Sequence, residues 1–490
     1  MRPRPYALIT PGYREMRVET MSGESLFRGK RSIECALEKL RGHVCYVTSA
    51  IERMKHTTGA RDWTMNTWHG RETAITHHGT NVSVSSLRGT LDQSDHPFRD
   101  LTFVFDWLEG YGVAPSGLSA MSWNLFRASL RQETVIGADP ELGRSAFFGG
   151  RKGINHPGSY FNQRLVDKIA AYPTAMSRMP VALSLHEVSV STYLDPTVAG
   201  LARATVVVPS DLPYPPMPTR VGPEAIQFQW GPVNGVWPWV ELAHAVELGC
   251  DVVIRECWAP AREAELFGPW WLMAQGGRDL PGFAPRMAKA LHNCLWGQFA
   301  MDEHGRAEVS WGDDAGRETY VKDIDSKPIP HKWLRHVAAE VTGRVRNDLS
   351  RALYETGGTG IRATHLDTDG IIVPDHAPLP SNMGEAFGDF KVKEEMAELQ
   401  VKAPQFYRFK RDYEPGLANI DNPTGRGRTW HYVASGMNEM QAAEVFRRRT
   451  NFATKISFLS APDMVLPDGL SFDFDANEQL AHDARMIRHA

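Results

Sequence analysis

Cysteine is scarce in this chain, and the few cysteines show no metal or disulfide pattern. Cys35, Cys45, Cys250, Cys257 and Cys294 form no CxxC pair and have no histidine at the spacing of a zinc site. A disulfide framework and a structural zinc site therefore find no support in the sequence. We expect reduced thiols in the core of a cytoplasmic protein.

Long apolar runs are missing as well. No run approaches the roughly 20 residues that span a bilayer. The first segment, MRPRPYALITPGYREM, has no apolar stretch of the kind found in a signal peptide. We therefore expect no membrane partner and a cytoplasmic location.

Neither sign of charge dominates. A formal net charge of −4 gives no overall signature of nucleic-acid binding. Any contact with DNA must come from local groups of cations, such as Arg447, Arg448 and Arg449 or Arg426 and Arg428. Such groups can equally be solvated faces of the protein.

The length of the chain and its pattern of elements indicate more than one domain. At 490 residues the chain exceeds what one hydrophobic core usually supports. Short apolar runs predict a small α/β lobe over residues 1–145, and the proline-dense segment 211–218 marks a loop or a boundary. Periodic patterns predict helices over 237–249, 282–300 and 332–355, a buried strand over 250–258, and strand-like pieces over 303–325.

The segment HLDTDGIIV, residues 365–373, places two carboxylates at the tip of a predicted β-hairpin. GIRATHL predicts the first strand, DTDG a tight turn and IIV the returning strand. Asp367 and Asp369 lie two positions apart, so on extended backbone they point the same way and can share one Mg²⁺ site. An ordinary surface turn rich in Asp and Gly is the alternative.

A third acid ends another predicted strand. Asp167 closes an apolar strand, and Tyr172 and Pro173 follow at the expected start of a helix. An acid and an aromatic ring would then point into the same cleft. The alternative is an incidental aspartate before a capped helix.

The predicted helix over 282–300 has a distinctive face. Lys289, Asn293 and Trp296 are spaced i, i+4 and i+7, so they lie on one side of the helix. A cation, an amide and a flat ring together suit a nucleoside triphosphate. An ordinary amphipathic helix with a lysine at its edge is the alternative.

Taken in this order, the three segments resemble motifs A, B and C of family B DNA polymerases. Motif A has an Asp followed after two residues by S/A-L-Y-P, and this chain has DKIAAYP from Asp167. Motif B, K-x3-N-S-x-Y-G, corresponds to KALHNCLWG from Lys289, and motif C, Y-x-D-T-D-S, to HLDTDG from His365.

Further segments extend the resemblance over about residues 115–440. FFGGRKG at 147–153 is similar to the Y-x-G-G segment that contacts the template strand, and APQFYRF at 403–409 to the K-x-Y motif. YVASGMN at 432–438 resembles a later block on the thumb side. The spacing is most similar to the protein-primed polymerases of phages and linear plasmids.

The resemblance implies an α+β fold of the right-hand polymerase type, with an antiparallel-sheet palm, helical fingers and a thumb, preceded by a small N-terminal α/β lobe. The implied boundaries are a degenerate or truncated exonuclease-like lobe at 1–145, palm with an insertion at 146–262, fingers at 263–300, palm with a hairpin insertion at 301–390, and thumb at 391–490.

The resemblance also implies an activity, which is template-directed addition of dNTPs to a 3′-hydroxyl by two-Mg²⁺ nucleotidyl transfer, with Mn²⁺ as an alternative ion. The setting would be replication of a phage or mobile element in a bacterial or phage-infected cytoplasm. The implied partners are primer-template DNA, dNTPs, and a terminal protein or other priming factor. We expect a monomer.

Roles for individual residues follow from the same resemblance. The catalytic acids would be Asp167, Asp367 and Asp369, and the metal ligands Asp167, Asp369 and a backbone carbonyl near Lys168. The nucleotide would contact Tyr172, Arg278, Arg286, Lys289, Asn293 and Trp296. The DNA would contact Phe148, Gly149, Gly150, Arg151, Gln405 and Tyr407.

Several positions depart from the family pattern. Gly370 replaces the Ser of motif C, His365 its Tyr, Trp296 the Tyr of motif B, and Gln405 the Lys of K-x-Y. The first exonuclease motif, D-x-E, has RVET at 17–20 as its nearest match, with Arg17 where the Asp should be. We therefore expect no proofreading. A catalytically impaired, DNA-binding replication factor and an unrelated Mg²⁺-dependent hydrolase remain as alternative functions.

Overall fold

The structure is a computed structural model in which much of the chain is described. The described residues are 5–12, 15–28, 36, 40, 43–47, 64–68, 72–77, 80–86, 91, 94–130, 140–190, 194–221, 225–300, 306–313, 316–323, 334–357, 362–411 and 430–434. The arginines at 426, 428 and 447–449, Cys35, and most of the predicted thumb lie outside these ranges.

The described strands, in chain order, are β1 (Tyr6–Gly12), β2 (Glu15–Thr20), β3 (Gly23–Arg28), β4 (Val44–Val47), β5 (Thr64–Trp68), β6 (Glu72–His77), β7 (Thr80–Ser86), β8 (Lys152–Ile154), β9 (Gly158–Lys168), β10 (Val181–Val188), β11 (Leu201–Val208), β12 (Pro218–Val221), β13 (Ala225–Phe228), β14 (Gly231–Pro238), β15 (Asp251–Ala264), β16 (Arg306–Asp313), β17 (Gly316–Asp323), β18 (His365–Asp367), β19 (Gly370–Pro374), β20 (Phe390–Ala403), β21 (Phe406–Lys410) and β22 (Trp430–Ala434).

The described helices are α1 (Pro97–Glu109), α2 (Leu118–Ser129), α3 (Pro140–Ala146), α4 (Ala171–Ser177), α5 (Trp239–Glu247), α6 (Phe267–Gly276), α7 (Ala284–Phe299) and α8 (Arg335–Gly357), with a 3₁₀ turn at Gly277–Asp279. Among them, none is both long enough and apolar enough to cross a membrane.

The chain divides into two compact units. The first comprises residues 1–136 and 265–334, and the second comprises residues 137–264 and 335–490. The division returns to the first unit for the segment predicted as fingers, so each unit is built from two stretches of chain.

The first unit contains a seven-stranded mixed sheet of order β3-β2-β1-β4-β7-β6-β5. Its centre is parallel, because β4 pairs in parallel with both β1 and β7. All four residues of β4 are buried, as expected for parallel strands covered on both faces. The ring centre of Phe105 in α1 lies 4.4 Å from the ring centre of Tyr6 and 5.3 Å from that of Tyr46. Strands and a covering helix agree with the predicted α/β lobe.

Helix α7 of the first unit is held at its start and along its length. The N–H of Phe283, just before the helix, donates to the buried Asp100 carboxylate of α1 at 3.1 Å. The hydroxyl of Ser122 in α2 donates to the Leu291 carbonyl at 2.6 Å. Residues 306–323 form the β16–β17 hairpin, so both the helix over 282–300 and the strand-like pieces over 303–325 are confirmed.

The second unit contains an antiparallel seven-stranded sheet of order β22-β21-β20-β9-β19-β18-β8, here called the carboxylate sheet. Helix α8 packs on it through Leu349, Ala352 and Leu353, which meet Val166 of β9 and Ile371 of β19. The segment predicted as thumb begins at residue 391, yet nearly all of β20 and the whole of β21 in this sheet come from it. The domain boundaries stay predictions.

A separate four-stranded sheet of order β10-β15-β11-β14 completes the second unit. Its inner face packs with α5 around Val206, Trp237, Leu242 and Cys257. The predicted helix over 237–249 is confirmed by α5, and the strand over 250–258 by β15. The prediction that this strand is buried was wrong, because β15 exposes every second residue from Asp251 to Arg255 on an open sheet face.

The described cysteines match the expectation from sequence. Cys45, Cys250, Cys257 and Cys294 are free and buried. Burial raises the pKa of the Cys45 thiol to about 12 and that of Cys250 to about 11, so both stay protonated and unreactive near neutral pH.

Candidate active site

Backbone pairing brings the three predicted acids together. Asp167 of β9 pairs with Gly370 of β19, so it lies beside Asp369, and Asp367 closes β18 directly opposite Gly370. The predicted hairpin is therefore confirmed, although its first strand covers only His365–Asp367 and not the whole of GIRATHL. The end of β9 and the turn between β18 and β19 thus supply three carboxylates to the same edge of the sheet.

The tip of this hairpin is held from both sides. The N–H of Thr368 donates to the Arg151 carbonyl at 2.7 Å, and the Asp369 carbonyl accepts from the Lys168 N–H at 2.9 Å. Thr368 has a φ of 58°, which a β-branched residue rarely adopts. Because this conformation is unfavourable on its own, the two hydrogen bonds are needed to keep the turn in place.

The electrostatics of the site are those of closely spaced acids. The pKa of Asp369 rises to about 7, first because the carboxyl is partly buried and then because Asp167 and Asp367 repel its charge. Burial also raises the pKa of Asp367, although Lys152, Gln405 and Thr368 oppose the shift. A free carboxylate at Asp369 is therefore costly until a cation approaches it.

Asp167 and Asp367 are each engaged by a neighbouring side chain. Lys393 Nζ lies 3.1 Å from Asp167 Oδ2, and Gln405 Nε2 donates to Asp367 Oδ1 at 2.6 Å. Within the described residues, no side chain donates a hydrogen bond to the Asp369 carboxylate. Asp369 is thus the acid whose charge is least compensated.

These donors suit a divalent ion in kind. Carboxylate oxygens are what Mg²⁺ selects, and the raised pKa of Asp369 reflects negative charge that an ion would neutralise. In the described part of the chain, no three His, Cys, Asp or Glu side chains form a ready-made metal cluster. An ion bound between Asp167 and Asp369 would compete with Lys393, whose Nζ lies 3.1 Å from Asp167 Oδ2.

Gln405 and His365, two residues that depart from the polymerase motifs, contact each other directly. The backbone N–H of Gln405 donates to His365 Nε2 at 2.9 Å, so this nitrogen carries no proton. Burial lowers the pKa of His365 to about 3, which keeps the ring neutral. The Tyr407 ring lies 5.0 Å from the His365 ring in an edge-on arrangement. Motif C and the K-x-Y segment are therefore locked together.

Tyr172 lies beside the hairpin tip. A Cβ added to Gly150 would lie 3.0 Å from the Tyr172 hydroxyl and 2.6 Å from Cγ2 of Thr368. Burial and the charge of Asp369 raise the pKa of Tyr172. The glycine at position 150 is thus required for the close approach of ring, turn and chain.

The FFGGRKG segment turns its large side chains inward. Phe148 belongs to the core around Trp237, and Arg151 is 1% exposed with its guanidinium 4.2 Å from the Phe228 ring centre. Arg346 of α8 donates to the Gly149 carbonyl at 2.8 Å and pairs with Glu241 through two hydrogen bonds. Phe148 and Arg151 are therefore turned away from any DNA at this segment, which leaves the backbone of its glycines and the half-buried Lys152 for contact. That contact stays a prediction.

The predicted nucleotide-binding face of α7 lies in the first unit. Lys289, Asn293 and Arg286 are exposed and Trp296 is half-buried, so the face predicted from the helical spacing is on the surface. Arg278 is half-buried, with its Nε 3.5 Å from His292 Nδ1. The nucleotide contacts of these residues stay predictions.

The structure adds residues that the motifs did not reveal. Lys393, Lys152, Arg346 and Glu241 all contact the site or its supports. None was predicted as a site residue, although Lys152 lies within the FFGGRKG segment. Lys393 is 226 positions from Asp167, so only strand pairing brings the two together. Lys168, predicted as a metal ligand through its carbonyl, has its ammonium paired with Asp348.

The position matched to the exonuclease motif has no acid. Arg17 lies on β2 and pairs with Glu24 of β3 at 3.2 Å, where the motif would require an aspartate.

Sequence comparison alone finds no relatives, since no protein-family model and no curated protein matches the chain. Comparison of structures does. Phi29 DNA polymerase complexed with primer-template DNA and incoming nucleotides is similar over 91% of this chain and 94% of its own, with a TM-score of 0.63 at 11% identity. Its binary complex with primer-template DNA gives a TM-score of 0.60 at 12% identity, over 90% and 94% of the two chains. The chain therefore has the fold of a DNA polymerase.

Proposed function

We propose that this protein is a template-directed DNA polymerase of the family B, protein-primed type, which adds dNTPs to a 3′-hydroxyl. The observation that carries the proposal is the meeting of Asp167, Asp367 and Asp369 at one edge of the carboxylate sheet. The polymerase fold, and neighbours solved with primer-template DNA and nucleotides, support it. In this assignment the carboxylate sheet is the palm and α7 belongs to the fingers.

Asp167 and Asp369 would hold the metal ions. Two Mg²⁺ ions, when bound, would stabilise the attacking and the leaving oxygen of an in-line displacement. Asp369 suits this role because its charge lacks a side-chain partner among the described residues, whereas Asp367 is already bonded to Gln405. We therefore assign Asp367 a lesser part. The backbone of Lys168 is fixed beside Asp369 by a 2.9 Å hydrogen bond.

Other residues would bind and select the nucleotide. Lys289, helped by Arg278 or Arg286, would neutralise the triphosphate, with Asn293 and Trp296 on the same helix face. Tyr172 would lie under the deoxyribose and leave no room for a 2′-hydroxyl. Its hydroxyl lies so close to Gly150 that an added Cβ there would be 3.0 Å away.

The direct test is primer extension by an Asp369→Asn variant. We expect extension to fall by at least about 100-fold, since even outer partners of a metal site contribute 10- to 100-fold. Asp375→Asn, an exposed acid beyond β19, is the matched control and should extend normally. Near wild-type extension by Asp369→Asn would contradict the proposal.

A DNA-binding replication factor without polymerase activity is the second candidate. The engagement of Asp167 by Lys393 and of Asp367 by Gln405 favours it, because both acids already have partners. Tight binding of primer-template DNA, with no Mg²⁺- or Mn²⁺-dependent extension by the wild-type protein, would select this reading.

A further inference from the structure

Lys152 stands at the open end of a short polar chain that leads to Asp367. It lies on β8 directly opposite Asp367 of β18. Its ammonium donates to Gln405 Oε1 at 2.7 Å, and Gln405 Nε2 donates to Asp367 Oδ1 at 2.6 Å. Ammonium, amide and carboxylate thus follow one another at the edge of the site.

The middle member of this chain has little freedom. Gln405 has a φ of 57°, a left-handed conformation that is uncommon for a residue with a side chain. Its backbone N–H is bonded to His365 Nε2 at 2.9 Å, and its amide is bonded at both ends. Gln405 therefore fixes where the Lys152 ammonium lies.

The ammonium itself is not saturated. A lysine has three N–H donors, and the described residues supply an acceptor for one of them, Gln405 Oε1. The side chain is half-buried and lies near the carboxylates. The carboxylates repel an approaching anion, and a cation fixed beside them offsets that repulsion. Lys152 can therefore hold an anion with several oxygens close to the acids.

We propose that Lys152 binds a backbone phosphate of bound DNA beside the carboxylates, and that Gln405 is the positioning residue that holds its ammonium. The inference rests on the proposed function, since that function supplies the DNA. It adds a substrate-binding cation from β8, next to but not among the residues that the FFGGRKG segment predicted as DNA contacts.

The test is the salt dependence of DNA binding by Lys152→Gln. Each phosphate neutralised by a protein cation contributes roughly 0.7 to 0.9 to the slope of log affinity against log salt. We expect Lys152→Gln to lower the steepness by about that amount and to weaken binding of a labelled primer-template about tenfold at low salt. A purely structural lysine would leave the slope unchanged.

Two variants separate the roles of the pair. Gln405→Leu keeps the cation, so we expect binding to weaken about threefold with the wild-type slope. The exchange Lys152→Gln with Gln405→Lys returns one cation and one amide to the pair, so we expect the wild-type slope to return. Arg203→Gln, which removes a cation paired with Glu256 on the other sheet, is the control and should leave the slope unchanged.

Failure of this inference can be told from failure of the proposed function. If the wild-type protein binds DNA and extends primers while Lys152→Gln keeps the full slope, only the role of Lys152 is overturned. If the wild-type protein binds DNA but extends no primer, the proposed function fails, and the slope still decides whether Lys152 meets a phosphate. Melting curves of each variant check that it is folded.

Discussion

Gly370 replaces a residue that the family pattern gives as serine, and its surroundings supply a reason. A Cβ at this position would lie 3.1 Å from Asp167 Oδ1, 3.3 Å from Cδ1 of Leu165 and 3.4 Å from the Val166 carbonyl. These contacts are tight, and the backbone carbonyl can move little. The absence of a side chain at position 370 therefore leaves space for the Asp167 carboxylate.

We expect Gly370→Ala to disturb the carboxylate before it disturbs the fold. The added methyl crowds Asp167, so the Mg²⁺ concentration for half-maximal extension should rise about tenfold. Stability should change little, because alanine also restricts the unfolded chain. A Mg²⁺ titration of primer extension, with a thermal melt alongside, measures both. An unchanged Mg²⁺ requirement would mean that Asp167 does not need this space.

Sequence patterns predicted the acids but not their partners. The spacing of Asp367 and Asp369 predicted a shared site on extended backbone, but Thr368 between them has a φ of 58°, so a turn places the two acids instead. Lys393 and Gln405 reach Asp167 and Asp367 only through strand pairing over long stretches of chain. Local patterns carry no record of such contacts.

At the scale of elements, α8 shows how a well-predicted helix can hide unpredicted chemistry. Its position was predicted from its periodicity, and Arg335–Gly357 confirms it. Its buried face nevertheless holds Glu340 and Arg346, at 3% and 2% exposure. Burial raises the pKa of Glu340 to about 7. Arg344, whose Nη2 lies 2.7 Å from Glu340 Oε1, opposes the shift.

The raised pKa of Glu340 predicts a loss of stability with rising pH. The folded protein binds this proton more tightly than the unfolded chain, so the stabilisation is complete below about pH 4.5 and is lost as the pH rises through 7. The full loss is of the order of 3 kcal/mol. Melting temperature should therefore fall less between pH 5.5 and 8 in Glu340→Gln than in the wild type.

The control for this experiment is Glu355→Gln, which changes an exposed acid on the same helix. It should keep the wild-type pH dependence. Equal pH dependence in Glu340→Gln and the wild type would show that Glu340 does not titrate in this range.

Strand β15 shows where a pattern misleads at this scale. CDVVIRECW is apolar enough to predict burial, yet Val253 is 47% exposed. Helix α5 covers one face of the four-stranded sheet, whereas α3 and α8 cover the other face only around Leu201 and Val236. The outward residues of β15 between Asp251 and Arg255 therefore meet solvent. Strand propensity predicts that β15 forms, but whether each face of β15 is buried depends on which other segments pack against it.

At the scale of the whole molecule, the order of the motifs predicted the polymerase fold, whereas the composition did not indicate it. The order of the motifs did not predict the division into two units, in which residues 265–334 group with residues 1–136. That grouping depends on contacts such as Asp100 with Phe283, 183 positions apart.

We expect the whole protein to lack proofreading. The first exonuclease motif has Arg17 at the position of its aspartate, and two-metal hydrolysis needs carboxylates there. A mismatched primer incubated with Mg²⁺ and no dNTP should keep its length over the time in which the enzyme extends a matched one. Shortening that persists in Asp369→Asn would place an exonuclease in this chain and overturn the expectation.

The polar chain from Lys152 through Gln405 to Asp367 has a consequence for how this sequence can diverge. Gln405 also binds His365, so a change at any one of these positions alters the setting of the others. Substitutions here are therefore expected to be interdependent, each tolerated only in combination. A lineage that acquired this combination would change several motif residues together, which is consistent with a fold that remains recognisable when no protein-family model matches the sequence.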